Sequence, residues 1–304
     1  MALKDNVLLM DAKTGTIPAE QGTLVMKEFM SGSAVMQLAK YEEMTKPVKE
    51  FTYLASGVGA YWVDEGNKIP VSKPTWLKAK IEAKKLGVII PATKEFLKWT
   101  VPAFFNQMRP AIAEAFYTKF DQATLFGNDS PYAAGQSIWE NIVASGNKLE
   151  ENSTGKGLGE ESSNIIAMVE DGDGDPNGFI TTRRFKQAMR NAVDAKGNSL
   201  FTDKTKAAPS TLHGLPVGYV NGKSWDYTKA RLITGDWDYA RYGILQDIEY
   251  EIATEATLDI LGEDGQPINL FQRDMFALRA TMHVAFMTLK EDAFAALTPK
   301  PATP

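Results

Sequence analysis

The residues best suited to chemistry form an acidic run at 170–175, with the sequence EDGDGD. Its aspartates have the spacing of the first three ligands of an EF-hand calcium loop. Such a loop also needs a glycine at its sharp turn and a bidentate glutamate at its end, and the sequence has Pro176 and Thr182 at those positions. We therefore interpret the run as a solvated acidic turn, in which aspartate and glycine suit the backbone geometry, and predict no metal site.

The chain lacks the usual catalytic pairs of nucleophile and base. It contains no cysteine, and its two histidines are His213 and His283. His213 precedes a glycine in a predicted turn, whereas His283 lies within an alternating apolar run, so structural roles are favoured for both. Gly155-Lys156-Gly157 has only a superficial likeness to a phosphate-binding loop. The sequence therefore predicts no catalytic residue and no cofactor site.

The first well-marked element along the chain is a predicted β-hairpin over residues 51–91. Two runs with a period of two flank a polar tip at 64–68, which is the pattern of two antiparallel strands. A hairpin with charge on one face and little apolar surface is not stable alone, so it needs cover. The chain offers no obvious cover, which makes a neighbouring subunit the natural candidate.

The lysines of this hairpin have two interpretations that the sequence leaves open. They either keep an edge strand from unwanted pairing, or they pair with carboxylates of a neighbouring subunit. The first interpretation needs only that the lysines face water, whereas the second needs an acidic surface on another copy. The lysines are Lys68, Lys73, Lys78, Lys80, Lys84 and Lys85.

A long amphipathic helix is predicted from Thr100 to Gly127, because apolar residues recur there at steps of three and four. Thr100 is expected to cap its first turn and Gly127 its last turn. Pro110 lies inside the pattern, so a kink or a break is expected there. At 1.5 Å per residue the helix would span about 40 Å, which suits a structural spine.

The remaining segments alternate short predicted elements with polar loops. The N-terminal forty residues are predicted to form an extended arm with a short helix at 23–29, and residues 146–163 a polar surface loop. The predicted strands are 165–169, 215–217, 232–234, 244–252 and 282–286. The predicted helices run from Asn177 or Thr181 to about Gly197 and over 270–279.

Composition and charge restrict the class of protein further. The 304 residues include 33 Lys and Arg against 38 Asp and Glu, for a net charge of −5. At about 150 residues per domain, the length favours one large domain or two modest ones. A chain with a net negative charge and no global excess of Lys and Arg is not expected to bind nucleic acid directly. No apolar run approaches the length of about 20 residues that spans a bilayer, so no membrane partner is predicted.

Several segments together resemble the major capsid proteins of tailed phages with the HK97 fold. Each likeness is weak alone, but their order and spacing over about residues 50–295 make the resemblance specific. The segments are Ala60–Gly66 followed by Ile69, Thr93–Leu97, Asp121–Gly127, Gly214–Val217, Gly235–Tyr239 and Asp274–Arg279 followed by Ala293 and Phe294.

The resemblance implies an α+β, HK97-like capsid fold with a division into five parts. These are an N-terminal arm at 1–45, a long E-loop hairpin at 46–92, a P-domain spine helix at 93–135, an inserted A-domain at 136–242, and the P-domain return strands with a C-terminal tail at 243–304. As function it implies a major capsid protein, not an enzyme, that self-assembles into pentamers and hexamers of an icosahedral shell around packaged double-stranded DNA. Residues at the hairpin tip and two arginines are the expected interface residues: Trp62, Glu65, Lys68, Arg241 and Arg279.

The resemblance also implies partners and a maturation step. A procapsid is expected to assemble in the host cytoplasm, with a separate scaffolding protein or none, and to expand by bending at hinges such as Pro110. A portal and decoration proteins are further expected partners, and the DNA is held without sequence-specific binding. The shell is expected to be non-covalent. An isopeptide bond from Lys68 or Lys73 to Asn269 would need an acidic residue as a base to take the proton of the lysine. Between Asn269 and Thr288 the only acidic residue in the sequence is Asp274.

Two other functions stay open at this point. One is an encapsulin-like nanocompartment, which has the same fold and encloses enzymes instead of DNA. The other is a soluble α+β enzyme or sugar-binding domain that uses the acidic run at 170–175. Gel filtration separates a shell from an enzyme, because a shell protein elutes as megadalton particles or as capsomers and an enzyme of this kind as a stable monomer.

Overall fold

A computed structural model describes residues 19–56, 62–63, 68, 71, 75–151, 157–192, 211–261 and 267–300 of the chain. The α-helices among them are α1 (Ala19–Gly32), α2 (Ala34–Leu38), α3 (Lys94–Phe126), α4 (Ile138–Ser145), α5 (Leu158–Glu170) and α6 (Lys186–Asn191). The strands among them are β1 (Lys40–Glu43), β2 (Val48–Ser56), β3 (Thr75–Thr93), β4 (Lys148–Glu150), β5 (Gly178–Thr182), β6 (Thr211–Leu212), β7 (Leu215–Val220), β8 (Leu232–Gly235), β9 (Ala240–Ala253), β10 (Thr257–Leu261), β11 (Pro267–Asn269), β12 (Met275–Thr288) and β13 (Phe294–Thr298). These elements confirm the predicted α+β class.

One sheet has five strands in the order β1-β9-β12-β3-β2. Its strands are antiparallel except for β1, which runs parallel to β9. The prediction of a helix over 270–279 is wrong, because β12 begins at Met275 and follows a turn. Phe276, Leu278 and Met282 are all buried on one face, which is the period of two that a strand requires.

The long helix α3, which packs against β3 and β12, is a single continuous element. It begins at Lys94, so the predicted start at Thr100 is wrong, and the predicted break at Pro110 is absent. We attribute its continuity to the buried residues that follow, which include Phe116 and Phe120, because their burial outweighs one lost backbone hydrogen bond. Gly127 ends the helix in the left-handed conformation, as predicted, with φ of 69°.

The N-terminal segment from residue 19 packs against α3. Phe29 in α1 is fully buried and makes edge-to-face contacts with Phe116 and Phe120, with ring centroids 6.5 and 6.1 Å apart. The short helix predicted at 23–29 is confirmed within α1, but the extended arm predicted around it is wrong for residues 19–38, where apolar side chains fold two helices onto the chain's own core. The first 18 residues of the predicted arm lie outside the described residues.

The second sheet has six strands in the order β4-β13-β8-β5-β7-β6. The helix α5 covers it, and Ile165 and Val169 are fully buried one helical turn apart. The predicted strand at 165–169 is therefore wrong, because a short apolar run fits a helix as well as a strand. The helix predicted from Asn177 or Thr181 is replaced by the wholly buried strand β5, and α6 follows only at Lys186.

Other sequence predictions in this region are confirmed. The predicted strands at 215–217, 232–234 and 244–252 lie within β7, β8 and β9. His213 and Gly214 form the two-residue turn between β6 and β7, with φ of 50° and 83°. Two successive positive φ values are typical of a type I′ hairpin turn. None of the described helices is both long and apolar enough to cross a lipid bilayer.

Two glycines give a matched test of packing in these sheets. A Cβ at Gly235 would lie 2.3 Å from the ring of Phe294 and 2.6 Å from the backbone oxygen of Ala293, whereas one at Gly243 would lie 2.6 Å from the Met44 side chain and 3.0 Å from the backbone oxygen of Glu42. We expect Gly235→Ala to lower the free energy of unfolding by about 3 kcal/mol and Gly243→Ala by about 1 kcal/mol. Denaturant midpoints with unchanged slopes measure the difference, and equal losses would contradict this account of the packing.

Candidate assembly surfaces

The predicted hairpin strands are confirmed in the described residues. β2 pairs antiparallel with β3, from Val48 opposite Glu82 to Ser56 opposite Thr75. β3 continues into the five-stranded sheet, where residues 83–93 pair with β12. The hairpin and the body of the protein therefore share one 19-residue strand.

The base of the hairpin finds its cover within the chain, which corrects the expectation that no such cover exists. Ala79 and Ile81 are buried, and they pack with Met44, Ala285 and Met287 in a small separate core. This face of β3 is the side opposite to the one that packs against α3 farther along the strand. The hairpin therefore leaves the body from a fixed root.

The part of the hairpin beyond this root exposes large apolar side chains. Trp62 is fully exposed, Val71 is 81% exposed, and Trp76 is 60% exposed. The predicted interface residue Lys68 is exposed as well, and Glu65 lies outside the described residues. Exposed apolar groups on a projecting element mark a surface for contact with a partner. The interface role of Trp62 and Lys68 stays a prediction.

The hairpin lysines differ in whether they form an ion pair within the chain. The side chain of Lys84 lies 2.7 Å from Glu82, and Lys80 lies 4.0 Å from the same carboxylate. The hydrogen bond and charge of Lys84, followed by the charge of Lys80, hold the pKa of Glu82 below its ordinary value. Lys78 is exposed and has no ion-pair partner among the described residues. Both interpretations of these lysines therefore stay open.

Arg241 lies in an ion-pair cluster that joins β1 to β9. Its guanidinium contacts Glu42, which also accepts a 3.0 Å hydrogen bond from Lys49. Burial opposes ionisation of Glu42, but Lys49 and Arg241 outweigh it and hold the pKa of Glu42 below its ordinary value. This position explains Arg241 by contacts within the chain, so its role at a subunit interface stays a prediction.

Arg279 and the crosslinking candidates also have contacts within the chain. Arg279 pairs with Glu251, which lies directly opposite on β9. The side-chain oxygen of Asn269 accepts a 3.2 Å hydrogen bond from the backbone of Gln272. Asp274 pairs with Lys94 at 3.3 Å. An interface role for Arg279 stays a prediction, and Lys73 lies outside the described residues.

The acidic run at 170–175 forms a turn at the end of α5, as predicted. Within it the backbone of Gly174 donates a 3.0 Å hydrogen bond to Val169, and the carbonyl of Gly172 accepts one from Lys290. Asp171 and Asp173 are exposed. Among the described residues, no group of three or more histidines, cysteines and carboxylates is arranged to hold a metal ion.

His213 joins the second sheet to α5. Its Nε2 lies 2.8 Å from the hydroxyl of Ser162, which is fully buried and donates to the carbonyl of Leu158 at 2.6 Å. Burial lowers the pKa of His213, against a hydrogen bond with Gly159 that raises it. The pair is a structural contact between elements.

The sequence patterns did not predict two features of the structure, a buried aspartate and a basic segment. One is Asp121, which is fully buried in α3 and accepts a 2.5 Å hydrogen bond from Ser33. The other is a basic segment after β5, with Arg183, Arg184, Lys186 and Arg190 and no carboxylate between Asp175 and Asp194. The charge pattern could have revealed the second feature, whereas no local pattern reveals the burial of one aspartate.

Known proteins similar to this chain are capsid proteins. The family model described as "Phage capsid family" matches residues 14–298. The major capsid protein of Staphylococcus phage 80alpha is 43% identical over 300 residues, which cover 97% of this chain and 88% of that protein.

Solved structures give the same result for the fold. A chain from Microbacterium phage Oxtober96 superposes with a TM-score of 0.75 at 27% identity, covering 88% of this chain and 91% of the other. A capsid chain of the empty GTA particle superposes with a TM-score of 0.64 at 15% identity, covering 88% and 89%, which shows a shared fold alone. The architecture is thus the HK97-like capsid fold, and the chain belongs to the phage capsid family.

Proposed function

We propose that this chain, a major capsid protein, assembles into pentamers and hexamers that close into an icosahedral shell around packaged phage DNA. The observation that carries the proposal is the β2–β3 hairpin, which is rooted in a rigid sheet and exposes Trp62, Val71 and Trp76 beyond its root. Such a hairpin presents an apolar surface that a neighbouring molecule can cover. In this proposal each hairpin lies over the body of an adjacent copy.

The mechanism is association through repeated heterologous contacts, and no catalytic step is part of it. A contact between two different surfaces of identical subunits closes into a ring when the rotation between copies is fixed. Each contact can be modest, because a subunit held at several places gains from the high effective concentration of the others. The five-part division into arm, E-loop, spine helix, A-domain and return strands belongs to this proposal, as do Trp62, Glu65, Lys68, Arg241 and Arg279 as interface residues.

Further partners follow from the same proposal. A separate scaffolding protein, a portal and decoration proteins would act around the shell, which assembles in the host cytoplasm and becomes part of the virion. The DNA inside is held by confinement, since the net charge of −5 repels phosphate on average. No observation favours an encapsulin-like compartment over a phage shell.

Removal of the hairpin tip tests the proposal. Replacing residues 57–74 by an Asn-Gly turn leaves the pairing of β2 with β3 in place, so the far-ultraviolet circular dichroism should stay close to that of the wild type. We expect the purified variant to form no particles in electron microscopy, whereas Lys119→Ala, which removes only an exposed ion pair with Asp129, assembles normally. Particles of normal yield from the shortened chain would contradict the proposal.

The proposed shell is non-covalent, which gives a separate prediction. Asp274 is 76% exposed and paired with Lys94, so it does not supply the buried base that a lysine needs to lose its proton and attack Asn269. Particles boiled in detergent should therefore run as one band at 33.5 kDa on a denaturing gel. A ladder of multiples of that mass would show covalent joining and would overturn this part of the proposal.

A further inference from the structure

A concave pocket lies at the carboxyl end of β5, where the basic segment begins. Its volume is about 410 Å³, and its lining includes Arg184, Arg231, Gln187, Asn191 and the ring of Tyr227. None of the described residues that line the pocket carries a carboxylate, although Asp and Glu outnumber Lys and Arg in the chain. Arginine and amide groups around one cavity are donors that fit a carboxylate ligand.

The two arginines of this pocket are held differently. The guanidinium of Arg184 is exposed, stacks 4.6 Å from the ring centroid of Tyr227, and has no ion-pair partner among the described residues. Arg231 pairs with Glu151 at 3.3 Å, and its Nε is buried without a hydrogen-bond partner. Stacking limits the freedom of Arg184 before a ligand arrives, which lowers the entropy cost of binding.

The chain itself carries a matching ligand at the other end of the same strand. The acidic turn at 170–175 directly precedes β5, so the turn and the pocket are separated by about 13 Å of strand, at about 3.3 Å per residue. Its exposed carboxylates lie at the C-terminal end of α5, where the helix dipole disfavours negative charge and the last turn has no basic residue. Asp171 and Asp173 have no ion-pair partner among the described residues.

We propose that the pocket is a carboxylate-binding site that receives the acidic turn of a neighbouring copy, Asp171 and Asp173 in particular. The basic pocket and the acidic turn lie at opposite ends of β5. They are two different surfaces of one subunit, as a heterologous contact between copies requires. Repeated around a fixed axis, this contact closes a ring of subunits through their six-stranded sheets. The inference rests on the proposed assembly into pentamers and hexamers and names a contact within those rings.

The pocket favours a protruding peptide loop over duplex DNA. A duplex carries its phosphates on a broad convex surface, which flat or projecting cationic surfaces contact best. Here the cationic side chains line a concave site, and the Nε of Arg231 is buried without a hydrogen-bond partner. A short turn with exposed aspartates fits such a site in shape and charge.

Charge reversal tests the contact in the full chain. We expect Arg184→Glu to lower the yield of capsomers and particles from purified subunits by about tenfold at a fixed concentration, with unchanged circular dichroism. Adding Asp171→Lys and Asp173→Lys to the same chain should restore the yield, because the two charges are then exchanged. Assembly of Arg184→Glu at the wild-type level, or a loss that the lysine substitutions do not rescue, would overturn the inference.

Because the chain has no cysteine, a disulfide can report the contact directly. Gln187→Cys combined with Asp171→Cys should give oxidised multimers up to the size of a ring on a non-reducing gel, whereas Gln187→Cys with Glu255→Cys should not. Dimers alone, or no crosslinking in assembled particles, would overturn the inference.

Other outcomes separate this contact from alternative partners. If Arg184→Glu assembles normally from purified subunits but loses DNA from filled particles, the pocket serves nucleic acid and the inference is wrong. If it assembles normally when purified but fails in the infected cell, the pocket serves another protein and the inference is equally wrong. Wild-type subunits that form no capsomers at all would instead overturn the proposed function itself.

Discussion

Replacing Trp237 by alanine lowers the free energy of unfolding by about 4 kcal/mol, the range for a large aromatic side chain in a core. Trp237 is fully buried between β8 and β9, the point where the chain passes from the six-stranded to the five-stranded sheet. Its ring lies 5.3 Å from that of Phe294, and its indole nitrogen donates a 3.0 Å hydrogen bond to Gly178. Equilibrium denaturation of the unassembled subunit measures the loss.

A conservative control separates packing from hydrogen bonding at this position. Trp237→Phe keeps a buried ring but removes the donor to Gly178, whose carbonyl also accepts from Thr234 at 3.3 Å. Because the carbonyl keeps one partner, we expect a loss of only about 1 kcal/mol. If alanine and phenylalanine cost the same, the stabilisation would come from the hydrogen bond and the packing account would be wrong.

The second large effect is a pH dependence that originates at Asp121. Burial raises the pKa of this carboxyl to about 7, although hydrogen bonds from the Ser33 hydroxyl and the backbone of Ala34 and Val35 lower it. The folded state therefore keeps a proton between about pH 4 and pH 7 that the unfolded chain has lost. The free energy of unfolding falls as the pH rises through this window, by an amount on the order of 4 kcal/mol, and recovers as the pH is lowered.

Asp121→Asn isolates this contribution, because the amide does not ionise and can still bond to Ser33 and the backbone at the start of α2. We expect its stability to vary less between pH 4 and pH 7 than that of the wild type. Paired carboxylates such as Glu42 have lowered pKa values and act in the opposite direction, so the difference between the two proteins is the quantity to compare. Parallel curves over this range would show that Asp121 is ionised in both states.

Local sequence patterns correctly predicted those elements whose structure is determined by residues close together along the chain. The strict alternation at 244–252 predicted β9, the glycine at 127 predicted the end of α3, and His213-Gly214 predicted a tight turn. In each case the deciding physics lies within a few residues: side chains alternate along a strand, and glycine tolerates a positive φ.

The errors arose where tertiary contacts decide the structure. In the segment 270–279 the apolar residues Phe271, Met275 and Leu278 fit a helix, but Phe276 and Leu278 are buried together on one face of β12. The early start of α3 was missed because nothing local marks Lys94. The sequence also could not show that the N-terminal helices cover α3, since that contact joins residues about ninety positions apart.

The candidate surfaces show the same division. The hairpin and its exposed lysines followed from alternation and a polar tip, and the acidic turn followed from its composition. The pocket at the end of β5 did not, because it combines Arg184 with Tyr227 and Arg231, which are distant along the chain and meet only in the folded sheet. Its charge pattern is visible in the sequence, but its concave shape is not.

The continuity of β3 from the projecting hairpin into the body of the protein has a mechanical consequence. A force applied along the hairpin by a neighbouring subunit would run parallel to the strand and perpendicular to the hydrogen bonds between residues 83–93 and β12. Those bonds are then loaded together in shear and cannot be peeled apart one after another. A subunit that its neighbours pull along the hairpin therefore yields only when many of these hydrogen bonds break together.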